Sequence, residues 1–362
     1  MTLFTPLKVA QVQQQTRDTI AVTFAVPPEL KSTFAYQHGQ HLTLRAFIDG
    51  EEVRRSYSIC SAVQDGALRV AIKRTPGGLF SNWALEHIQP GREIEVMAPA
   101  GHFNVALAAH QRRHYLAVAA GSGITPILSI IKTTLIAEPA SRFTLIYGNR
   151  ATSSVIFRDE LADLKDQYME RFTLAYVMSR EAQDIELFNG RITREKCQQL
   201  FRHWVRIADI DVAFLCGPGD MIDAVSAALK EAGMPAGDIH AELFAAAPAP
   251  DAQRTRRLQR GLEHAHAQQA HVTLVMDGNR TSFDMERERE SILDAGLRAG
   301  LDMRYSCKAG VCSTCRCKLI EGKVEMDATY ALEDYEIARG FILSCQSFPL
   351  TDTVVVDFDQ AD

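Results

Sequence analysis

The stretch RYSCKAGVCSTC, residues 304–315, sets Cys307, Cys312 and Cys315 at Cys-x4-Cys-x2-Cys spacing, and Cys345 follows in LSCQ after 29 further residues. Of eight cysteines in the 362-residue chain, four (Cys307, Cys312, Cys315, Cys317) fall within eleven positions. So tight a group is poorly placed to staple a chain of this size with disulfides, and metal ligation is the better reading. Three thiolates on one loop and a fourth from a distant segment is the arrangement that holds a 2Fe-2S cluster. Such a cluster is negatively charged, so its loop must turn backbone N–H groups inward, and Ala309 and Gly310 permit that wrapping. The rival is structural zinc, but zinc modules present two separate cysteine knuckles and here one end alone has a knuckle. Cys317, in an expected strand two residues past Cys315, reads as a small buried filler rather than a ligand.

Around this loop, strands are expected at 272–276, 281–285, 316–321 and 353–358, with a helix near 291–299. From His271 onward there are 17 Asp and Glu against 10 Lys and Arg, whereas the whole chain has a net charge of −6, so the rest is nearly neutral. An acidic terminal module argues against nucleic-acid binding and suits docking on a basic protein surface; a solvated acidic face with no partner is the plainer alternative. Ahead of it, residues 245–269 (AAAPAPDAQRTRRLQRGLEHAHAQQ) lose apolar periodicity and read as an interdomain linker with room for a helical turn.

From residue 7 to about 103, short alternating runs such as 20–25 and 68–72, broken by Gly and Pro, predict an antiparallel barrel. From 113 the rhythm changes. Apolar runs at 115–120, 143–147, 172–177 and 212–216 each precede a turn and a longer amphipathic stretch, which predicts a doubly wound parallel sheet. The chain thus divides into 1–108, 112–244, the linker 245–269, and 270–362. With 46% hydrophobic and 23% charged residues it has a globular composition. Met1–Asp18 lacks a basic region followed by an apolar core, and no run reaches the roughly 18 apolar residues that span a bilayer, so a cytoplasmic setting is expected.

Two further constellations carry chemistry. In the first, Arg55, Ser56, Tyr57 and Ser58 lie in an expected strand, so Arg55 and Tyr57 share a face: a guanidinium for pyrophosphate and a ring for a flat cofactor. About twenty residues on, Gly77 and Gly78 offer bare amides to phosphate, followed by Leu79 and a helix expected to open at Ser81 and Asn82. A paired charge and a half-buried aromatic are the plainer reading of Arg55 and Tyr57. In the second, the strand 115–120 runs into Gly121-Ser122-Gly123-Ile124-Thr125-Pro126, a glycine turn at a helix start that suits a dinucleotide pyrophosphate. Pro126 stands where the usual Rossmann fingerprint has its third glycine. Asn149-Arg150 and Cys216-Gly217-Pro218-Gly219-Asp220-Met221 follow later strands at their C-terminal ends, where open sheets bind ligands. Cys216 is either a buried hydrophobe or a nicotinamide contact. Ser179 and Arg180 close another strand; serine and arginine there suit the extra phosphate of NADPH better than the ribose hydroxyl of NADH, although an arginine after a strand can also be merely solvated.

The Arg55–Ser58 unit, the Gly77-Gly78-x-x-Ser81 stretch and the Gly-x-Gly-x-Thr-Pro turn resemble the ferredoxin-NADP reductase family, and the four-cysteine spacing resembles plant-type ferredoxins. The resemblance implies a barrel holding FAD, with Tyr57 on the isoalloxazine, Ser58 near its reactive nitrogen, and Arg55 and Gly78 to Ser81 on the pyrophosphate. It implies that the Cys216–Met221 turn lines the nicotinamide, and that Glu242 and Phe244, in HAELF at 240–244, close the site. The terminal module would be a β-grasp α+β domain. A reductase followed by a ferredoxin is similar to the reductases of multicomponent oxygenases. Over nearly the whole chain, GQHLTLRAFIDGEEVRRSYSIC, AAGSGITP, FTLIYGNR, ESILDAGLRAG and VVVDFD resemble reductase components of bacterial epoxidases acting on aromatic CoA thioesters. That implies electron delivery from NADPH through FAD and the cluster to a di-iron oxygenase partner. A reductase for a ring-hydroxylating oxygenase and a nucleotide-binding redox sensor are the alternatives.

Overall fold

A computed structural model of the chain describes residues 3–244, 269–287 and 289–360; residues 245–268 of the expected linker lie outside them. The fold has two compact units, Thr2–Phe244 and Ala245–Asp362.

The first unit begins with six strands: β1 Thr5–Thr16, β2 Thr19–Ala25, β3 His41–Ile48, β4 Glu51–Ser58, β5 Leu68–Lys73 and β6 Glu93–Val96. They form an antiparallel sheet in the order β4-β3-β6-β1-β2-β5. The two ends of that order meet. Ile59 bridges Val70, and the Cys60 N–H donates to the Arg69 carbonyl at 2.8 Å, so the sheet closes into a barrel without a free edge there. Residues two apart point the same way along a strand, and Leu7 with Val9, Leu42 with Leu44, and Val70 with Ile72 fill the barrel. Helix α1, Leu79–His87, adds Phe80 and Ala84 to that core. The tight β3–β4 turn at Asp49-Gly50 has φ of 53° and 85°, the positive pair that an Asp-Gly hairpin supplies.

The same unit continues with β7 His114–Ala120, α2 Ile124–Ala137, β8 Arg142–Asn149, α3 Arg158–Gln167, β9 Phe172–Met178, α4 Arg194–His203, β10 Val212–Gly217, α5 Gly219–Glu231 and β11 Ile239–Leu243. All five strands are parallel, in the order β11-β10-β7-β8-β9. Alternation along β7 sends Tyr115, Ala117 and Ala119 into a core with α2 and α3, and Leu116 and Val118 into a second core with α4 and α5. Helices therefore cover both faces. The direction of winding reverses between β7 and β10, which makes the C-terminal ends of those strands the natural crevice for a ligand.

In the second unit, β12 Gln269–Met276, β13 Asn279–Glu286, β14 Arg316–Glu321, β16 Phe341–Leu343 and β18 Thr353–Asp357 form a mixed sheet in the order β13-β12-β18-β14-β16. A smaller pair joins β15 Val324–Met326 to β17 Ser347–Pro349. Helix α6, Ile292–Arg298, is capped by the Ser291 hydroxyl and buries Ile292, Leu293 and Ala295 in the core. A short helix, α7 Asp334–Ala338, precedes β16. The result is an α+β β-grasp arrangement, somewhat richer than the four strands and one helix expected.

Candidate cofactor sites

Strand β4 ends on Ser58, which is buried, and carries Tyr57 half-buried and Arg55 exposed. The Tyr57 ring leans on Phe80 at 5.7 Å between centroids, and burial pushes its phenol well above the ordinary range. Arg55 donates to its neighbour's carbonyl, Arg54 O, at 2.7 Å, and the Ser56 hydroxyl faces Thr43 at 3.3 Å. Helix α1 opens at Leu79, two residues earlier than expected, because Gly78 occupies the N-cap. No side chain caps that end, so its first amides remain available to an anion. Gly77 has φ of +71° with open space where a Cβ would be. Ser81 lies inside the first turn, where its buried hydroxyl accepts the Thr75 N–H at 3.0 Å and closes the loop that holds the two glycines.

At the crevice between β7 and β10 the two turns press together. A Cβ on Gly123 would lie 2.1 Å from the Cys216 carbonyl oxygen, and one on Gly217 would lie 2.7 Å from Met221 Cε. Gly123 has no room for a side chain, whereas at Gly217 the Met221 methyl would have to move aside. Gly121 has φ of +55°, and its carbonyl accepts the Tyr147 hydroxyl at 2.9 Å. Thr125 donates to the Ser122 carbonyl at 3.0 Å, and Pro126 sits in the first turn of α2, where a missing N–H costs nothing. Pro218 is the N-cap of α5, and Met221 is buried in the core beneath that turn. Asn149, at the end of β8, is buried; among the described residues its side-chain amide completes no hydrogen bond, though it lies near enough to Tyr147 to influence that phenol. The backbones of Arg150 and Arg180 are joined, Arg180 N–H to Arg150 O at 2.8 Å, which sets two exposed guanidinium-bearing residues at adjacent strand ends. Ser179 donates through both its N–H and its hydroxyl to Asn149 O.

The fold brings barrel and sheet residues together. Ser58 Oγ donates a long hydrogen bond, 3.4 Å, to Glu242 on β11, and Glu242 is the register partner of Cys216 on β10. Cys216 is fully buried; burial, and secondarily the Glu242 carboxylate, pushes its thiol well above the ordinary value. Phe244, just past β11, stays partly open. One residue escaped sequence reasoning. Lys73 Nζ, from barrel strand β5, lies 3.9 Å from where a Cβ on Gly121 would be, so a cation overlooks the glycine turn. Its place in IKRTPGG, just before the barrel's own glycine pair, was the available signal, but nothing in the spacing tied it to residue 121.

In the second unit, Cys312, Cys315 and Cys345 are buried and Cys307 half-buried, and Cys307 with Cys312, and Cys315 with Cys345, shift one another's ionisation. The hydrogen bond from Cys312 brings Cys307 down to about 7 against the opposing effect of burial, helped by the Ala309 and Val311 amides. The Ala309 N–H reaches Cys307 Sγ at 3.3 Å. Cys345 is lowered first by Cys315, with the Gln346 side chain and the Gly310 amide assisting. Left-handed backbone at Lys308, Gly310 and Ser313 curls the loop so that these amides face sulfur. A Cβ on Gly310 would meet Gln346 Cγ at 3.0 Å. Two buried hydroxyls, Ser306 and Ser344, each directly preceding a cysteine, have no hydrogen-bond partner among the described residues. Four cysteine sulfurs with loop amides turned toward them fit a 2Fe-2S group, which Cys307, Cys312, Cys315 and Cys345 would hold. Cys317 is fully buried in the core.

A dinucleotide crevice facing a flavin-type barrel, with a three-cysteine loop and a fourth, distant cysteine in the same chain, defines a reductase that takes electrons from a nicotinamide and passes them on singly. Residues 6–105 match the oxidoreductase FAD-binding domain, 117–227 the oxidoreductase NAD-binding domain, and 274–350 the 2Fe-2S iron-sulfur cluster binding domain. The chain is 48% identical over 359 residues to a component of the 1,2-phenylacetyl-CoA epoxidase of Escherichia coli (strain K12), covering 99% of both. It is 36% identical over 354 residues to the 3-ketosteroid-9-alpha-monooxygenase ferredoxin reductase component of Rhodococcus rhodochrous, covering 97% of this chain and 96% of that one. The solved phthalate dioxygenase reductase shares the fold, with a TM-score of 0.59 at 24% identity over 98% of both chains. The chain belongs to this family of oxygenase reductase components, which transfer electrons from NAD(P)H through FAD and a 2Fe-2S centre to an oxygenase. Among the described residues no helix is long and apolar enough to cross a membrane.

Proposed function

We propose that this chain supplies electrons from NADPH to the di-iron oxygenase of a phenylacetyl-CoA epoxidase in phenylacetate breakdown. The oxygenase assignment rests on the full-length identity of 48% to the epoxidase component, against 36% for the ketosteroid monooxygenase reductase. The site assignment rests on one observation above the rest: Ser58, Cys216 and Glu242, from three separate elements, meet between the barrel and the dinucleotide crevice.

In this reading Tyr57 lies against the isoalloxazine and Ser58 hydrogen-bonds its edge. Arg55 and Ser56, with the amides and hydroxyl of Gly77, Gly78, Leu79 and Ser81, hold the FAD pyrophosphate. Gly121, Gly123, Thr125 and Pro126 shape the nicotinamide dinucleotide loop, Lys73 adds charge there, and the Asn149 amide finds its missing partner on the coenzyme. Arg150, Ser179 and Arg180 take the 2′-phosphate. Cys216, Gly217, Pro218 and Met221 form the floor of the nicotinamide pocket, with Glu242 and Phe244 at its mouth. Cys307, Cys312, Cys315 and Cys345 ligate the cluster. FAD held by these residues would supply the conversion of a two-electron hydride into single electrons, the form in which a 2Fe-2S centre held by the four cysteines would carry them onward. Hydride transfer asks no side chain to act as acid or base, so these residues align the two rings and exclude oxygen. The domain limits are 1–108, 112–244 and 270–362, and the setting is the cytoplasm, where a nucleotide pool and thiolate ligands coexist.

The test is turnover with purified oxygenase components. The phenylacetyl-CoA epoxidase oxygenase should support coupled NADPH oxidation and product formation, whereas ketosteroid and ring-hydroxylating oxygenases should not. Equal turnover with all of them removes the partner assignment. Failure to reduce cytochrome c rapidly would instead favour a redox sensor.

A further inference from the structure

The segment just past Ser58 is fastened to the helix that starts at the dinucleotide loop. Ser129 Oγ donates to the Ser61 carbonyl at 2.7 Å, both residues being buried, and the Val63 N–H donates to Thr133 Oγ1 at 3.2 Å. Lys132 Nζ donates to Asp65 at 2.6 Å and to Glu160 at 2.9 Å. Glu160, on α3, also accepts from one Arg69 nitrogen on both of its oxygens, at 2.9 and 2.8 Å. Ser129, Lys132 and Thr133 are spaced three and four residues apart, so one face of α2 is given over to the barrel. The other end of the network is braced too. Arg69 lies over the Phe157 ring at 5.1 Å, and Phe157, a buried non-glycine residue, holds a left-handed φ of 60° at the N-cap of α3.

We propose that this contact, Asp65, Arg69, Lys132 and Glu160 around the Ser61–Ser129 hydrogen bond, is a positioning device that sets the flavin and nicotinamide rings in register for hydride transfer. Its two sides are rooted within a few residues of the two binding loops: Ser61 lies three positions past Ser58, and Ser129 three past Pro126. A small slip at this joint is therefore carried directly to the distance between the reacting rings. A misplacement of about 1 Å can cost on the order of 10²-fold in rate. The charges are partly buried, which shields them from the screening that makes exposed ion pairs weak. None of the six residues is placed against either cofactor. The proposal rests on the assignment of FAD to Tyr57 and Ser58 and of the dinucleotide to Gly121–Pro126.

The test is anaerobic stopped-flow reduction of the flavin in the full holoprotein, comparing wild type with Lys132→Met, Lys132→Arg and Ser129→Ala. Lys132→Met should lower the limiting rate at saturating NADPH by at least about 10-fold. NADPH affinity, FAD content and reduction by dithionite should stay close to wild type, and Lys132→Arg should restore most of the rate. Ser129→Ala, which removes one hydroxyl, should act in the same direction and carries the test if Lys132→Met does not fold. Unchanged limiting rates, with a loss seen only in thermal midpoint, would show the network to be structural and overturn the proposal. Wild-type protein that binds no FAD would strike the site assignment instead, and the FAD content of the same samples separates the two failures.

Discussion

The two units build their candidate cofactor sites in contrasting ways. The cluster loop gathers three of its four sulfurs, and the amides that serve them, between Cys307 and Cys315; the fourth comes from a turn hydrogen-bonded to that loop's exit, Ser344 N–H to Cys315 O at 3.0 Å. The first unit instead brings Ser58, Cys216 and Glu242 together from three separate elements, two of them 184 positions apart. A local site is written in spacing, whereas a distributed one is written in topology. The first should fail all at once when a ligand is lost. The second should fail by degrees, as register or charge is disturbed.

The largest expected effect tests the independence of the two. Cys312→Ala should abolish transfer to the oxygenase and to cytochrome c while leaving reduction of small dyes by the flavin largely intact, checked by parallel assays and iron analysis. If both activities disappear together, the contrast is wrong. Gly123→Ala should be next, because its Cβ has 2.1 Å to the Cys216 carbonyl and the backbone must shift. Flavin reduction by NADPH should fall by about 10²-fold with FAD still bound, as read by stopped flow. Arg180→Ala should raise the NADPH dissociation constant by about 10- to 10²-fold, the loss of charge-assisted hydrogen bonds, and leave NADH nearly unchanged. Equal losses for both coenzymes would remove the 2′-phosphate reading.

A smaller effect separates the units by pH. Burial lowers His41 from 6.5 to about 4, with His102 nearby adding to it, and burial lowers His38 likewise to about 4, partly offset by the Glu138 carboxylate and a hydrogen bond to the Val105 backbone. Both are neutral in the fold, while the unfolded chain takes up protons below 6.5. Their stabilisation is thus fully present above pH 6.5 and is lost as pH falls towards 4, by at most about 1.4 kcal/mol per pH unit for each. Denaturation midpoints followed by flavin fluorescence should drop across that window, and His41→Asn should flatten the slope. The smallest effect belongs to Cys317→Ala. It should cost about 1 kcal/mol in unfolding free energy and leave iron content unchanged; loss of iron would make Cys317 a ligand.

The same contrast explains what the sequence revealed. Four of the five parallel strands were legible within a residue or two because each is an apolar run, as at 115–120 against the observed His114–Ala120; three of them meet a glycine turn, β9 runs into Ser179-Arg180, and the half-buried β11 has no such run. The grouping of Cys307, Cys312 and Cys315 was legible because the three lie on one loop. Helix α1 was expected two residues late: Ser81 looks like an N-cap, yet its hydroxyl serves Thr75 while Gly78 takes the cap without a side chain. Strand β16 and helix α7, three and five residues long, are too short to carry a period. Lys73 beside Gly121, and the fastening of Ser61 to Ser129, depend on how barrel and sheet pack, and no local pattern encodes that.

The most direct measurement is the composition and spectrum of the purified full-length protein, before and after anaerobic addition of NADPH. One FAD and about two irons with two acid-labile sulfides per chain are expected, with a visible spectrum bleached by NADPH and a paramagnetic signal from the reduced cluster. Stoichiometric zinc in place of iron, or a colourless protein that NADPH leaves unchanged, would contradict this expectation.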